Sequence, residues 1–272
     1  FRKVLILNLF VSLIMSQDQL GSDIDGEVAG DNSGGSVSLD SDGDRVAIAA
    51  SSNDGGADNA GHVRIYSWDG SSWSQLGSDI DGEAAGDYSG VSVSLDSDGD
   101  RVAIGGYFND GSYSDAGHVR IYEYSGGTWS RLGSDIDGEA AGDQSGVSVS
   151  LDSDGDRVAI GAYNNDGNGS DAGHVRVYSW DGSSWNQLGN DIDGEAAGDK
   201  SGISVSLDSD GDRVAIGAHY NDGSYSDAGH ARIYSWGGSS WNQLGSDIDG
   251  EAADDRFGRS VSLDSDGDRV AI

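Results

Sequence analysis

The 272-residue chain has no cysteine, no proline, a single methionine and only 15 lysines and arginines. Without cysteine there can be no disulfide, thiolate metal site, cysteine nucleophile or cysteine-linked lipid anchor. Without proline, collagen-like and proline-rich linker architectures drop out. The scarce positive charge stands against 48 aspartates and glutamates, leaving a formal net charge of −33. Such a field repels nucleic-acid phosphates and anionic headgroups, so neither nucleic acid nor a polybasic membrane contact is expected as a partner. Abundant instead are 45 glycines, seven tryptophans and eleven tyrosines. That is the composition of a turn-rich β protein, not of a disordered acidic tail.

One apolar run differs from everything after it. Residues 4–15 are mostly apolar and follow Arg2 and Lys3. They read as a secretory signal peptide that has lost its first residues, too short to span a bilayer comfortably. Residues 1–19 are therefore assigned as a leader and the remainder as secreted or cell-surface protein. The competing reading is a buried strand or helix of the mature fold.

From residue 20 onward the chain is periodic. The tract Leu-Gly-(Ser/Asn)-Asp-Ile-Asp-Gly-Glu starts at Leu20, Leu76, Leu132, Leu188 and Leu244, a constant spacing of 56 residues. Units are thus 20–75, 76–131, 132–187 and 188–243, with a partial fifth at 244–272. Repeats of this length signal propellers or solenoids. In the third unit, Gly146–Leu151 alternates apolar and small polar residues, Asp152–Asp156 is an Asp-Gly turn, and Arg157–Ala162 is almost wholly apolar. Gly173–Trp180 alternates again, and a Asp181–Ser184 turn leads to Trp185–Leu188. The periods and turns predict four antiparallel strands joined by hairpins. The expected core is Val147, Val149, Leu151, Val158, Ile160, Val175, Val177, Tyr178, Trp180, Trp185 and Leu188. A sheet this small buries too little on its own and requires neighbours on both faces. The predicted fold is all-β: a β-propeller of four-stranded blades. Roughly 4.5 units are present, whereas closed propellers have about 4 to 8 blades. An open arc, belonging to a wheel of roughly six to eight blades, is the expectation.

The residues Ser145-Gly-Val-Ser-Val-Ser-Leu-Asp-Ser-Asp-Gly-Asp156, Val158-Ala-Ile-Gly-Ala-Tyr163, Asn165-Asp-Gly167 and Ala172-Gly-His-Val-Arg-Val-Tyr178 resemble the FG-GAP repeat. The name-giving pair occurs only as Phe257-Gly258, with Ser33, Ser89, Ser145 and Ser201 before the glycine elsewhere. The resemblance covers 20–272 and implies the ligand-binding propeller of integrin alpha chains and many bacterial surface proteins. It also implies calcium sites in the loop between the first two strands. The matching positions are Asp40, Asp42 and Asp44; Asp96, Asp98 and Asp100; Asp152, Asp154 and Asp156; Asp208, Asp210 and Asp212; Asp264, Asp266 and Asp268. Alternating aspartates on a tight glycine turn can aim several carboxylates at one calcium ion, which takes 6–8 oxygens. Two departures count against it. Arg-Val-Ala-Ile replaces the closing acidic ligand, and the loop is shorter by about three residues. The other reading is a hairpin in which aspartate caps backbone N–H groups.

Other repeated residues have structural and functional readings side by side. His62, His118, His174 and His230 share one repeat position and read as structural, since a zinc set requires carboxylates converging at the same depth. His219 is a single substitution. The acidic stretch Asp135–Glu139 through Asp143 reads as a solvated loop between blades, with further ligands as the alternative. Trp68/Trp73, Trp180/Trp185 and Trp236/Trp241 read as cross-strand packing, or as a platform for sugar rings. Asn168-Gly-Ser170 is a lone glycosylation sequon. No catalytic constellation stands out, because a repeat places the same groups in every unit. The expected function is a non-enzymatic, exported recognition or adhesion module binding a protein partner, with calcium as a candidate cofactor. The alternatives are a lectin-like glycan binder, a structural spacer in a larger surface protein, and an enzyme whose catalytic domain lies past residue 272.

Overall fold

A computed structural model describes residues 19–272. The assigned leader therefore lies, apart from Gln19, outside the described residues. Among the described residues there is no helix, and so none that could cross a membrane. In the third unit the strands are Ser148–Leu151, Arg157–Ala162, His174–Trp180 and Trp185–Gln187. They pair antiparallel in chain order, with Val149 opposite Ile160, Val158 opposite Tyr178, and Trp180 opposite Trp185. The same order recurs in units one, two and four, and the fifth unit adds a two-stranded piece.

One element departs from the four-strand expectation. The tract entering each following unit is not a free loop. Ile192–Asp193 pairs with Val175 and His174, on the same edge of the third strand that Trp185–Gln187 occupies farther along. Each complete sheet therefore has five strands, two of them short and sharing one edge. Ile192 is buried, which explains the lone apolar residue within Asp-Ile-Asp.

The apolar core lies between units rather than inside them. One cluster joins Ala103, Val119, Ile121 and Ile136 to Val149, Leu151, Val158, Ile160 and Tyr178, and the clusters on either side are built alike. Seven of the expected core residues are buried, while Val147, Trp180, Trp185 and Leu188 are half-buried. A sheet with one free face would leave the His-Arg-Tyr side of its third strand in water. Here both faces are covered, and Arg176 is buried along with Val175 and Val177.

The first strand of each unit lies innermost. Its Leu-Asp-Ser end lines a common central pocket of about 400 Å³ with the same residues of the other four units. An innermost strand leaves backbone N–H groups unpaired, a hazard that proteins must cover. The serines of Ser-Val-Ser-Leu do so: Ser150 Oγ accepts from Leu207 N–H at 3.0 Å, and Ser148 Oγ donates to the Gly202 carbonyl at 2.8 Å. Around the hub, Ser153 donates to the Ser209 carbonyl from both N–H (3.0 Å) and Oγ (2.7 Å), a link repeated from unit to unit. The arc does not close. Val37 and Leu39 are each 60 % exposed, whereas Val149 and Leu151 at the same repeat positions are 9 % and 7 % exposed.

Candidate functional site

The Asp turns form one end of each blade. Asp152 is buried, and its Oδ1 accepts from the N–H groups of Asp156 and Arg157, both at 3.0 Å. Asp154 is exposed and its carboxylate does not join them. The turn carbonyls, which a cation would use, already serve a neighbour: Arg101 donates to Gly155 O at 3.2 Å and Asp154 O at 3.3 Å. Arg157 and Arg213 repeat the clamp onto Asp210 and Asp266. Among the described residues, the three-residue sets whose ligand atoms all lie within 4.8 Å of one another include no Asp turn. The turn aspartates thus hold the hairpin and present no assembled triple-carboxylate cage.

Burial, reinforced by the Asp156 carboxylate, pushes Asp152 up from the ordinary 3.8 to about 7. The folded state then keeps a proton that the unfolded chain releases. This group's contribution is full below pH 3.8 and is lost as pH rises to about 7. Asp152→Asn keeps the acceptor without the charge. Its melting temperature should gain on the parent's steadily as pH rises through that window, then level off. A constant difference across the window would contradict the assignment.

The histidines sit at the opposite end of the third strand. His174 is 1 % exposed, and neither ring nitrogen has a hydrogen-bond partner. Its Nδ1 lies 3.8 Å from Asp191 Oδ2, and Glu139 completes the set. Glu27/His62/Asp79, Glu83/His118/Asp135 and Glu195/His230/Asp247 repeat the arrangement. Carboxylates do converge beside each histidine, which corrects the expectation that these tracts were solvated loops. The signal was present: Glu and Asp stand at fixed places in the tract that becomes the added strand. Burial, with Arg176 next, lowers the His174 pKa to about 4 and leaves the imidazole neutral.

The tryptophan pairs are cross-strand contacts, with Trp180 and Trp185 centroids 5.5 Å apart. Trp185 Nε1 donates to Leu132 O at 2.9 Å, fastening the rim to the tract that opens its own unit. Beside it runs a groove of about 290 Å³ lined by Tyr178, Trp185, Asp135, Asp137 and Ser183. Asn168 is exposed, and its side-chain amide donates to Gly194 O at 2.8 Å.

A further group emerges only when the units are compared with one another. Two positions carry a different residue in every unit: Asn32, Tyr88, Gln144, Lys200 and Arg256 at one, and Ser52, Phe108, Asn164 and Tyr220 at the other. The structure brings the two positions together, opposite the Asp turns. Asn32 donates to Ser52 Oγ at 2.9 Å, and Tyr88 meets Phe108 edge-on at 5.8 Å. Asn164 donates to Gln144 Oε1 at 2.9 Å and accepts from Lys200 Nζ. Arg256 stacks over Tyr220 at 5.1 Å. All five residues at the first position are left-handed, with φ between 53° and 57°. Asparagine tolerates this, but tyrosine, glutamine, lysine and arginine do so at a cost of about 1–3 kcal/mol. Neighbouring bonds enforce it: Gln144 N–H donates to Asp115 O at 3.2 Å, and Ser145 N–H to Ala116 O at 2.9 Å. The buried pair Asp143–Asn165, 3.0 Å apart, anchors the loop beneath. His219 belongs here too; it is buried against Tyr220, with ring centroids 4.0 Å apart.

Residues 136–178 match the family model described as FG-GAP repeat. The third unit is therefore an FG-GAP repeat, and the 56-residue period carries its pattern through the chain. No curated protein matches the sequence. Among solved structures, hydrazine synthase of Kuenenia stuttgartiensis is similar over 86 % of this chain and 66 % of its own, at 14 % identity and a TM-score of 0.53. The periplasmic gluconolactonase PpgL of Pseudomonas aeruginosa is similar over 79 % of this chain and 56 % of its own, at 16 % identity and a TM-score of 0.52. The chain thus spans less than two thirds of either, and the likeness is one of fold. The chain is a β-propeller arc, with an FG-GAP repeat matched at residues 136–178.

Proposed function

We propose that this chain is an exported, non-catalytic recognition module, which holds a protein partner against the face opposite its Asp turns. The observation that carries the reading is the pair of positions that differ in every unit. They touch one another, the first of them sits on left-handed backbone, and together they include tyrosine, phenylalanine, lysine and arginine in an otherwise nearly uniform repeat. Aromatic residues and arginine are the usual anchors of protein interfaces. Left-handed strain that the surrounding bonds hold in place is characteristic of ligand-contacting loops. A rigid propeller supplies the platform, and repetition supplies several contact points in one plane. A second reading, glycan binding, is favoured by the groove beside Trp185, where two aromatic rings meet carboxylates and hydroxyls.

The intact chain, probed on arrays of surface proteins and glycans, tests both. Copying the first unit's residues into the second, fourth and fifth units (Tyr88→Asn, Phe108→Ser, Lys200→Asn, Tyr220→Ser, Arg256→Asn) should weaken protein binding at least ~10-fold. Melting temperature should not fall, because asparagine relieves the left-handed strain. Undiminished binding by this variant contradicts the reading. Glycan binding abolished by Trp180→Ala with Trp185→Ala would favour the second one.

A further inference from the structure

The four Glu–His–Asp sets remain unused by the recognition reading. In the third unit His174 is held 99 % away from solvent, with Nδ1 aimed at Asp191 and no partner on either ring nitrogen. The N···O distance of 3.8 Å is too long for a hydrogen bond. A buried polar atom left unmatched is a liability, and His230, 1 % exposed, repeats it with both ring nitrogens unpartnered. Two ligands each about 2.0–2.2 Å from a tetrahedral ion lie roughly 3.4 Å apart, so a small inward movement of the two side chains brings both into coordination. Glu139 divides its roles. It supplies a ligand oxygen to the set, while its Oε1 lies 3.4 Å from Arg176 Nη1. Arg176 Nη2 in turn donates to Asp137 O at 2.7 Å, which fixes the guanidinium beside Glu139.

We propose that these sets are binding sites for a divalent cation of the zinc class, each joining one blade to the tract that opens the next. One imidazole nitrogen with two carboxylate oxygens suits zinc and its first-row neighbours, whereas calcium prefers an all-oxygen shell. Two carboxylates and a neutral histidine balance the charge of a divalent ion. Three protein ligands leave a fourth position for water. Asp191 comes from the following unit, so a bound ion ties consecutive units together and stabilises the arc by linkage.

The second unit is the built-in exception. Arg120 ion-pairs with both Glu83 and Asp135, and Arg131 also reaches Asp135 at 2.7 Å. Guanidinium groups occupy the carboxylates there, so the His118 set is disabled. The expected stoichiometry is three ions per chain, at the sets of His62, His174 and His230.

The test is calorimetric titration of the full, chelator-stripped chain with zinc chloride, and with calcium chloride in parallel. Three zinc equivalents should bind, with a rise in melting temperature that calcium does not reproduce. His174→Gln should remove one equivalent, and so should Asp191→Asn, whose side chain is partly exposed and whose loss spares the core. Arg120→Gln should restore a fourth. Cobalt substitution gives an independent reading on the parent protein, because nitrogen–oxygen coordination produces a visible absorption band. No zinc heat, or zinc binding that His174→Gln and Asp191→Asn both leave intact, overturns the proposal.

Discussion

Gly173→Ala is expected to destabilise the protein by about 2–5 kcal/mol, among the largest effects of any single methyl group in the chain. Gly173 has φ 74°, where an alanine costs about 1–2 kcal/mol. Its added Cβ would also lie against the Ser201 carbonyl oxygen and 2.7 Å from the Ser201 nitrogen, both backbone atoms of the next unit. Neither can retreat. Gly173 and Ser201 form a parallel bridge, Ser201 N–H donates to Ala172 O at 2.9 Å, and Gly194 N–H donates to Gly173 O at 2.7 Å. Overpacking adds about 1–3 kcal/mol. Gly182 is the control. It has φ 94° at a hairpin tip with nothing within 4 Å, so alanine there should cost only about 1–2 kcal/mol. Urea denaturation of the two variants separates them, and equal losses would show that the close approach between units carries no energy.

The blade itself was readable because its signals are local. Arg157–Ala162 is a near-continuous apolar run between an Asp-Gly turn and a polar loop, and it is the buried second strand, with the same bounds. Alternation in His174–Trp180 correctly separated His, Arg and Tyr from Val175 and Val177. It could not tell that both sides are covered, because burial of the histidine face depends on the neighbouring unit. The strand at Ile192–Asp193 was missed for a related reason. Two residues give no periodicity, and acidic neighbours disguise a segment whose strand character comes from pairing with His174 and Val175.

The site was less legible than the fold. Asp152, Asp154 and Asp156 have the spacing of a calcium loop, but spacing does not record that Arg101 of the preceding unit takes the turn carbonyls. The Glu139–His174–Asp191 set is scattered over 52 positions and two units, so only the added strand makes it one place. The variable pairs, by contrast, were open to view in the sequence. Gln144 and Asn164 stand at the two positions where no two units agree, and only their contact across the loop awaited the structure.

Each unit draws its stability from the unit beside it. Leu39 and Leu151 occupy the same repeat position in the same strand, one 60 % exposed and the other 7 % exposed under its neighbour. Leu151→Ala should lower the unfolding free energy by about 2–5 kcal/mol. Leu39→Ala should lower it by less than ~1 kcal/mol. Matched urea denaturation of the two variants decides the question. A clear gap in that order is the predicted result, and losses of equal size would show that the blades stand without one another.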